Sequence, residues 1–250
     1  MKFKGKVAVV TGGARDIGRA VSVKLAREGA KVVVNYHSSA EQAESTLKEI
    51  RDAGGEAMAV GADVTTPEGV DDLVAETIAS YGGKIDILVN VAGGLVARKT
   101  LEEADLAYFE FVQKLNFTSA FLVTKAVVPH MGEGGAIVNF SSQAGRDGGG
   151  PGAWAYAASK GAIMTFTRGL AKELGPRNIR VNALCPGMIS TTFHDTFTKD
   201  EARANVAAAT PLRREGRADE IADAVAYLAS DESSYLTGVN LDINGGMVFS

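Results

Sequence analysis

Val7-Ala8-Val9-Val10-Thr11-Gly12-Gly13-Ala14-Arg15-Asp16-Ile17-Gly18 is the stretch on which the reading of the fold turns. Its first half is a short apolar run with no polar alternation, the pattern of a strand covered on both faces. Its second half is a glycine-rich turn that leads into a helical pattern near Gly18–Glu28. Glycines let a backbone turn tightly and come close to a pyrophosphate, and a helix start offers free N–H groups and partial positive charge. Many strand–helix turns carry glycine for folding reasons alone. Placement between the first strand and the first helix favours a dinucleotide site.

The same rhythm continues outward. Apolar runs recur at Lys31–Tyr36, Glu56–Gly61, Ile85–Val91, Ala136–Phe140, Ile179–Leu184 and Val239–Ile243. Helical patterns lie between them near Ala40–Ala53, Pro67–Tyr81, Asp105–His130, Trp154–Leu174 and Ala218–Ala229. Strict strand–helix alternation predicts parallel strands with ligands at their carboxyl ends. An eight-fold barrel also alternates, but seven strands and a glycine-rich first turn favour an open sheet. The expectation is α/β: a single-domain, Rossmann-type, doubly wound parallel seven-stranded sheet with helices on both faces. The whole chain, 1–250, reads as one domain, with cofactor motifs mainly in 5–95 and catalytic and substrate elements mainly in 96–250. Gly148-Gly149-Gly150-Pro151-Gly152 reads as a loop over the site. The stretch Ser190–Asn205 breaks the rhythm just after a strand end and reads as a substrate lid.

Composition fits this class and excludes others. Of 250 residues, 46% are hydrophobic and 22% charged, enough for a sizeable core. A formal net charge of −4 with scattered Lys and Arg argues against nucleic acid as a partner. The lone Cys185 forms no intrachain disulfide and reads as a small buried hydrophobe. The N-terminal apolar run is too short for a signal-peptide core, and no stretch approaches the ~20 apolar residues of a membrane span. No metal is expected, no membrane is expected as a partner, and the protein reads as cytoplasmic.

At this point the motifs resemble those of short-chain dehydrogenases/reductases. The turn is similar to T-G-x-x-x-G-x-G, with Gly12 and Gly18 at the outer glycine positions and Asp16 in place of the middle one. The Asp16 carboxylate is expected to turn outward and leave the backbone path intact. The resemblance extends to Asp63-Val64 for the adenine and to Asn90-Val91-Ala92-Gly93 for the family's N-N-A-G. It continues in Pro186-Gly187 on the nicotinamide side, with Ile189 and Thr191 placed for the carboxamide and the phosphate. These matches, in order at successive strand ends, imply cofactor contacts from Gly12, Arg15, Asp16, Ile17, Gly18, Asp63, Val64, Asn90, Ala92, Gly93, Pro186, Gly187, Ile189 and Thr191. The segment Asn35-Tyr36-His37-Ser38 ends the second strand without an acid that would accept ribose hydroxyls and repel a 2′-phosphate. Arg15 is placed to meet such a phosphate, with Asn35 and Ser38 as donors. NADPH is the expected preference, with NADH accepted because Asp16 partly neutralises Arg15.

Tyr156 and Lys160 stand four apart on one predicted helix and so share a face. An ammonium beside a phenol favours the phenolate, so Lys160 is expected to lower the Tyr156 pKa from ~10 towards working pH. An isolated pair at this spacing is ordinarily a surface lysine and a half-buried tyrosine. Ser142, at the carboxyl edge after the fifth strand, and Asn116 complete a set similar to the family's catalytic tetrad. The resemblance implies that Ser142 bonds the substrate carbonyl, that Asn116 positions a relay water, and that Lys160 also holds the nicotinamide ribose. It implies an oxidoreductase working between alcohol and carbonyl.

Three stretches, Gly93–Lys99, Gly148–Ala153 and Thr192–Asp195, resemble reductases of bacterial alginate breakdown. These reduce 4-deoxy-L-erythro-5-hexoseulose uronate to 2-keto-3-deoxy-gluconate. A uronate needs a cation, and Arg98 and Lys99 follow the fourth strand at the ligand edge. Gln143, Arg146 and His194 are further substrate candidates, and Arg98, Lys99, Arg146 and His194 are each equally readable as a solvated surface charge. The alternatives are a 3-oxoacyl-carrier-protein reductase, a general ketone or sugar-alcohol dehydrogenase, and a non-catalytic nucleotide sensor. A sensor is disfavoured because Tyr156 and Lys160 are both present. Small apolar residues on the helices Asp105–His130 and Trp154–Leu174, including Ala157, Ala158, Ala162 and Ala171, lead to an expected homotetramer like that of related enzymes.

Overall fold

The computed structural model describes residues 1–249. Seven parallel strands lie in the order β3-β2-β1-β4-β5-β6-β7. They are β1 (Val7–Thr11), β2 (Lys31–Tyr36), β3 (Glu56–Gly61), β4 (Ile87–Asn90), β5 (Ala136–Phe140), β6 (Arg180–Pro186) and β7 (Asn240–Ile243). Chain order reverses direction between β1 and β4, whose register pairs Thr11 with Asn90. Strand ends diverge at such a switch point and leave a crevice.

The continuous apolar runs have a direct cause. Successive side chains alternate between faces, and both faces are covered. Ala8 and Val10 join a core with α1 (Asp16–Arg27), α2 (Ala40–Asp52) and α10 (Ala218–Ala229). Val9 joins the opposite core with α3 (Pro67–Tyr81), α5 (Ser119–Val127) and α7 (Trp154–Leu174). Leu25 on α1 and Leu73 on α3 are fully buried. Each such burial contributes ~2 kcal/mol by apolar transfer.

The helical pattern predicted over Asp105–His130 is not one helix. It divides into α4 (Leu106–Gln113), a π turn over Lys114–Thr118, α5, and a short 3₁₀ turn at Val128–His130. The widened turn accommodates Asn116, which is 1% exposed and whose amide donates to the Val112 and Gly94 carbonyls. Single π turns inside helices cluster at functional sites. The predicted lid stretch is helical, holding α8 (Thr192–Phe197) and the start of α9 (Asp200–Ala209). A short helix α6 (Ala144–Asp147) follows Ser142.

Candidate functional site

Four strand ends, β1, β4, β5 and β6, converge on one edge. Thr11 links the first two, because its hydroxyl accepts from the backbone N–H groups of Val91 and Ala92, both at 3.1 Å. Gly12, at φ +62°, brings its backbone against Ala92, where a Cβ would lie 3.2 Å from the Ala92 Cα. Gly18 is closer still: a Cβ there would sit 2.0 Å from the Gly12 carbonyl oxygen. The turn is therefore a cradle from which side chains are excluded. Among the described residues no side chain caps the start of α1, so its first N–H groups are open to an anion, with Ile17 among them. This arrangement fits the pyrophosphate of a dinucleotide.

The Asp16 carboxylate does not turn outward to solvent. It reaches the lid, accepting from the Thr192 N–H at 3.0 Å and the Thr192 hydroxyl at 2.6 Å. Arg15 is exposed and also touches the Thr192 hydroxyl, at 3.3 Å. Asn35 departs from its expectation as a phosphate donor. It is 2% exposed, its oxygen accepts from the Gly12 N–H, and its amide donates to the carbonyls of Tyr36, Val60 and Ala62. It ties the glycine turn to β2 and β3 and has no donor left over. Tyr36 lies over Gly61, while His37 and Ser38 are exposed beside it.

Asp63 accepts from the Thr65 N–H, and Val64 is buried beneath. Partial burial opposes its charge, but the Thr65 bonds and the nearby His37 and Lys114 prevail and hold the carboxyl below its usual range. Asn90 is buried and donates to Thr124 and Asn139. On the β6 side, Gly187 packs against Asn244 and its N–H donates to the Ile243 carbonyl, just after Pro186 ends the strand. Ile189 is buried, and the Thr191 hydroxyl donates back to the Ile189 carbonyl.

The four catalytic candidates come together around the ends of β4 and β5. Asn116 grips Gly94 on both sides, accepting from its N–H and donating to its carbonyl, each at 2.9 Å. A Cβ on Gly93 would meet the Asn116 oxygen at 2.6 Å and the Lys160 Nζ at 3.2 Å, so Gly93 is the point where these side chains meet. Lys160 is 4% exposed and donates to the Phe140 carbonyl at 2.8 Å. Its Nζ lies 5.6 Å from the centre of the Tyr156 ring. Ser141 faces inward and donates to the Lys160 carbonyl at 2.7 Å, which leaves Ser142 as the serine facing the edge. The Ser142 hydroxyl accepts from the Ala144 N–H.

The electrostatics differ from the expectation of a phenol lowered by Lys160. Burial pushes the Tyr156 hydroxyl above its ordinary value, and Ser142 beside it pulls only partly the other way. Burial pushes Lys160 down to about 8. Both shifts follow from a desolvated pocket, which disfavours the charged form of each group. The ammonium spends a hydrogen bond on the Phe140 carbonyl. A neutral phenol beside a titratable lysine is suited to donate a proton.

The substrate candidates separate. Arg146 does not face the site, because its guanidinium is paired with Asp242 at 2.6 Å and donates to the Asn240 carbonyl. Gln143 donates to Asp147. Lys99 lies over the Tyr108 ring at 4.9 Å. His194 bonds Thr198 at 3.0 Å and is held below its ordinary pKa, by burial first, with Arg203 and Arg98 acting in the same direction. Arg98 is exposed and links the lid to the glycine loop, donating to the Phe197 carbonyl in the first and the Pro151 carbonyl in the second. Among the described residues it has no carboxylate partner. Sequence reasoning missed Phe193, whose ring roofs Tyr156 at 6.1 Å, and Thr192, which meets the glycine turn in place of Thr191. The apolar lid aromatic was the one signal available for the former.

Known proteins resemble the chain over almost its full length. A family model described as enoyl-(acyl carrier protein) reductase matches residues 12–248. An uncharacterized oxidoreductase of Methylorubrum extorquens is 40% identical over 98% of this chain and 99% of its own. A 3-oxoacyl-[acyl-carrier-protein] reductase of Synechocystis is also 40% identical, over 97% of both. Among solved structures, a short chain dehydrogenase from Burkholderia cenocepacia in complex with NADP superposes with a TM-score of 0.91 at 35% identity, covering 99% of this chain. With seven parallel strands in this order, a glycine cradle at the β1–β4 crevice and relatives aligned end to end, the chain belongs to the short-chain dehydrogenase/reductase family of oxidoreductases.

Proposed function

We propose that the chain is an NADP(H)-preferring carbonyl reductase whose substrate is a keto-uronate, 4-deoxy-L-erythro-5-hexoseulose uronate, reduced to 2-keto-3-deoxy-gluconate. The observation that carries the substrate class is Arg98, an exposed guanidinium between the lid and the glycine loop whose partners among the described residues are both carbonyls. A carboxylate replaces those neutral acceptors with a charge-assisted, bidentate pair. A reduced nicotinamide bound on this edge would supply the hydride for the carbonyl carbon. Tyr156 delivers the proton to the carbonyl oxygen, Ser142 hydrogen-bonds that oxygen, and Asn116 orders the relay behind Lys160. Lys160 would also hold the nicotinamide ribose, and Gly12, Ile17 and Gly18 would hold the pyrophosphate.

NADPH preference is supported by the exposed Arg15 and by a β2 end that carries Tyr36, His37 and Ser38 but no acid. Asp16, 3.9 Å from Arg15, tempers that charge and keeps NADH acceptable. A homotetramer is part of the reading. Ala157 and Ala171 are buried within the subunit, so the exposed apolar positions on these helices are others, among them Leu106, Phe111, Phe121 and Ala158. Light scattering on the purified chain reads the assembly directly, and a monomer at assay concentration overturns it. The Synechocystis relative favours one second reading, reduction of a 3-oxoacyl thioester.

Assays of the unsaturated-uronate product of alginate lyase, acetoacetyl thioesters and an uncharged ketone, each with NADPH and NADH, separate these readings. Turnover of the thioester but not the uronate overturns the first. Within that assay, Arg98→Ala is expected to weaken keto-uronate binding by ~1.5–3 kcal/mol and leave the uncharged ketone nearly unaffected. Equal losses on both would make Arg98 a loop staple only.

The Lys160 pKa gives a signed pH dependence. With its value lowered to about 8, Lys160 is cationic below that pH and neutral above it. Carbonyl reduction relies on the cation, so kcat/KM is expected to be flat below pH 7 and to fall as pH rises through about 8. A profile level from pH 7 to 9 overturns the assignment.

A further inference from the structure

Asp16 is one of few non-glycine residues in the left-handed region, at φ +51°, a conformation disfavoured for an aspartate unless its surroundings compensate. The compensation is visible. Both carboxylate oxygens engage Thr192, 176 residues away, through its N–H and its hydroxyl. Thr192 is the first residue of the lid helix α8, and the preceding Thr191 provides no side-chain cap. Asp16 therefore does from another part of the chain what a local cap residue ordinarily does, accepting from an open N–H at the helix start. The other end of α8 is held by Arg98 at the Phe197 carbonyl. Between the two lies Phe193, against Tyr156 and Phe197.

The same carboxylate sits in the first turn of α1, whose uncapped N–H groups form the anion-binding pole of the glycine cradle. A negative side chain there shares that pole with any phosphate seated on it. We propose that Asp16 is a positioning residue that caps the lid helix from the cofactor turn, holding Phe193 over Tyr156 before cofactor arrives, and that this cap competes with the dinucleotide's phosphates. The second half rests on the reading of the cradle as a dinucleotide site; the first half does not. Arg15, which touches both Asp16 and Thr192, is the neighbouring cation and moderates the competition.

Hydrogen–deuterium exchange on the cofactor-free full chain tests the cap, and NADPH titration tests the competition. In Asp16→Gly, amides of residues 192–198 are expected to exchange roughly 2- to 30-fold faster, the span of a lost helix cap. Thr192→Val, which keeps the N–H bond to Asp16 but loses the hydroxyl's bonds to Asp16 and Arg15, gives a smaller increase, and Thr192→Ser restores the wild-type rate. Asp16→Asn keeps the shape of the turn without the charge and falls between. The Kd for NADPH is expected to tighten about 2- to 5-fold in Asp16→Gly. Unchanged exchange at 192–198 in both Asp16→Gly and Thr192→Val overturns the cap. Faster exchange with an unchanged or weaker NADPH Kd overturns the competition. Failure of the wild-type chain to bind NADPH at all is a different result: it overturns the dinucleotide reading and the competition with it, while the exchange data judge the cap.

Discussion

Tyr156→Phe is expected to lower turnover by ~10²–10⁴-fold, the usual contribution of a positioned general acid, while NADPH affinity stays within about twofold. That loss corresponds to ~2.7–5.5 kcal/mol of transition-state stabilisation. The substitution is clean because the ring keeps its packing against Phe193 and its place on α7, and only the hydroxyl is removed. The hydroxyl is held neutral by burial, with Ser142 as its polar neighbour, so the variant removes the proton that reduction needs. Thermal stability is expected to change little. A variant retaining more than half the turnover would sink the assignment. A parallel loss of cofactor affinity would instead mean that the phenol organises the pocket rather than serving as its acid.

What the sequence disclosed and what it concealed divide along one physical line, local pattern against long-range pairing. Pro67–Tyr81 is read to the residue because its signals are local: Thr66 caps the helix by accepting from the Gly69 N–H, and Gly82 ends it at φ +88°. The bounds of β1, β2, β3 and β5 match their apolar runs. By contrast, β4 spans Ile87–Asn90 rather than Ile85–Val91, β6 Arg180–Pro186 rather than Ile179–Leu184, and β7 begins at Asn240 rather than Val239. Buried apolar residues such as Ile85 and Ile179 flank the paired ladder there. The π turn at Asn116 escaped because one inserted residue leaves the apolar periodicity of Asp105–His130 nearly intact. The Arg146 ion pair joins residues 96 apart, and the Asp16–Thr192 pair joins residues 176 apart, so no local rule finds either. Asn35 was misread for a related reason. A polar residue at a strand end reads as a ligand donor until its four carbonyl and amide partners, drawn from the glycine turn, β2 and the end of β3, are known. The Tyr156 and Lys160 spacing placed both side chains at the site, but their direction of titration depends on burial, which spacing does not reveal.

The glycine cradle carries the other large expected effect. Gly18→Ala is expected to weaken NADPH binding by roughly 10²-fold or more and to destabilise the fold by ~1–3 kcal/mol, the range of an overpacked site. The cause is not a conformational preference, since Gly18 lies in ordinary helical backbone; it is distance. The added Cβ would lie 2.0 Å from the Gly12 carbonyl oxygen and 2.9 Å from its carbon, and neither atom belongs to a side chain that can swing away. The turn must open, and the N–H groups at the start of α1 then no longer converge on one anion. Gly12→Ala differs in kind. It meets Ala92 at 3.2 Å and carries the strain of φ +62°, so it moves the turn less and is expected to be the milder lesion. Gly169→Ala is the control, in the interior of α7 with open space around its Cβ, and is expected to be neutral or to stabilise by ~0.5–1 kcal/mol. Fluorescence titration with NADPH and thermal melts of the three variants read both quantities. A Gly18→Ala protein that binds NADPH within threefold of wild type would show that the cradle tolerates a methyl group, and the dinucleotide would then have to be held elsewhere on the edge.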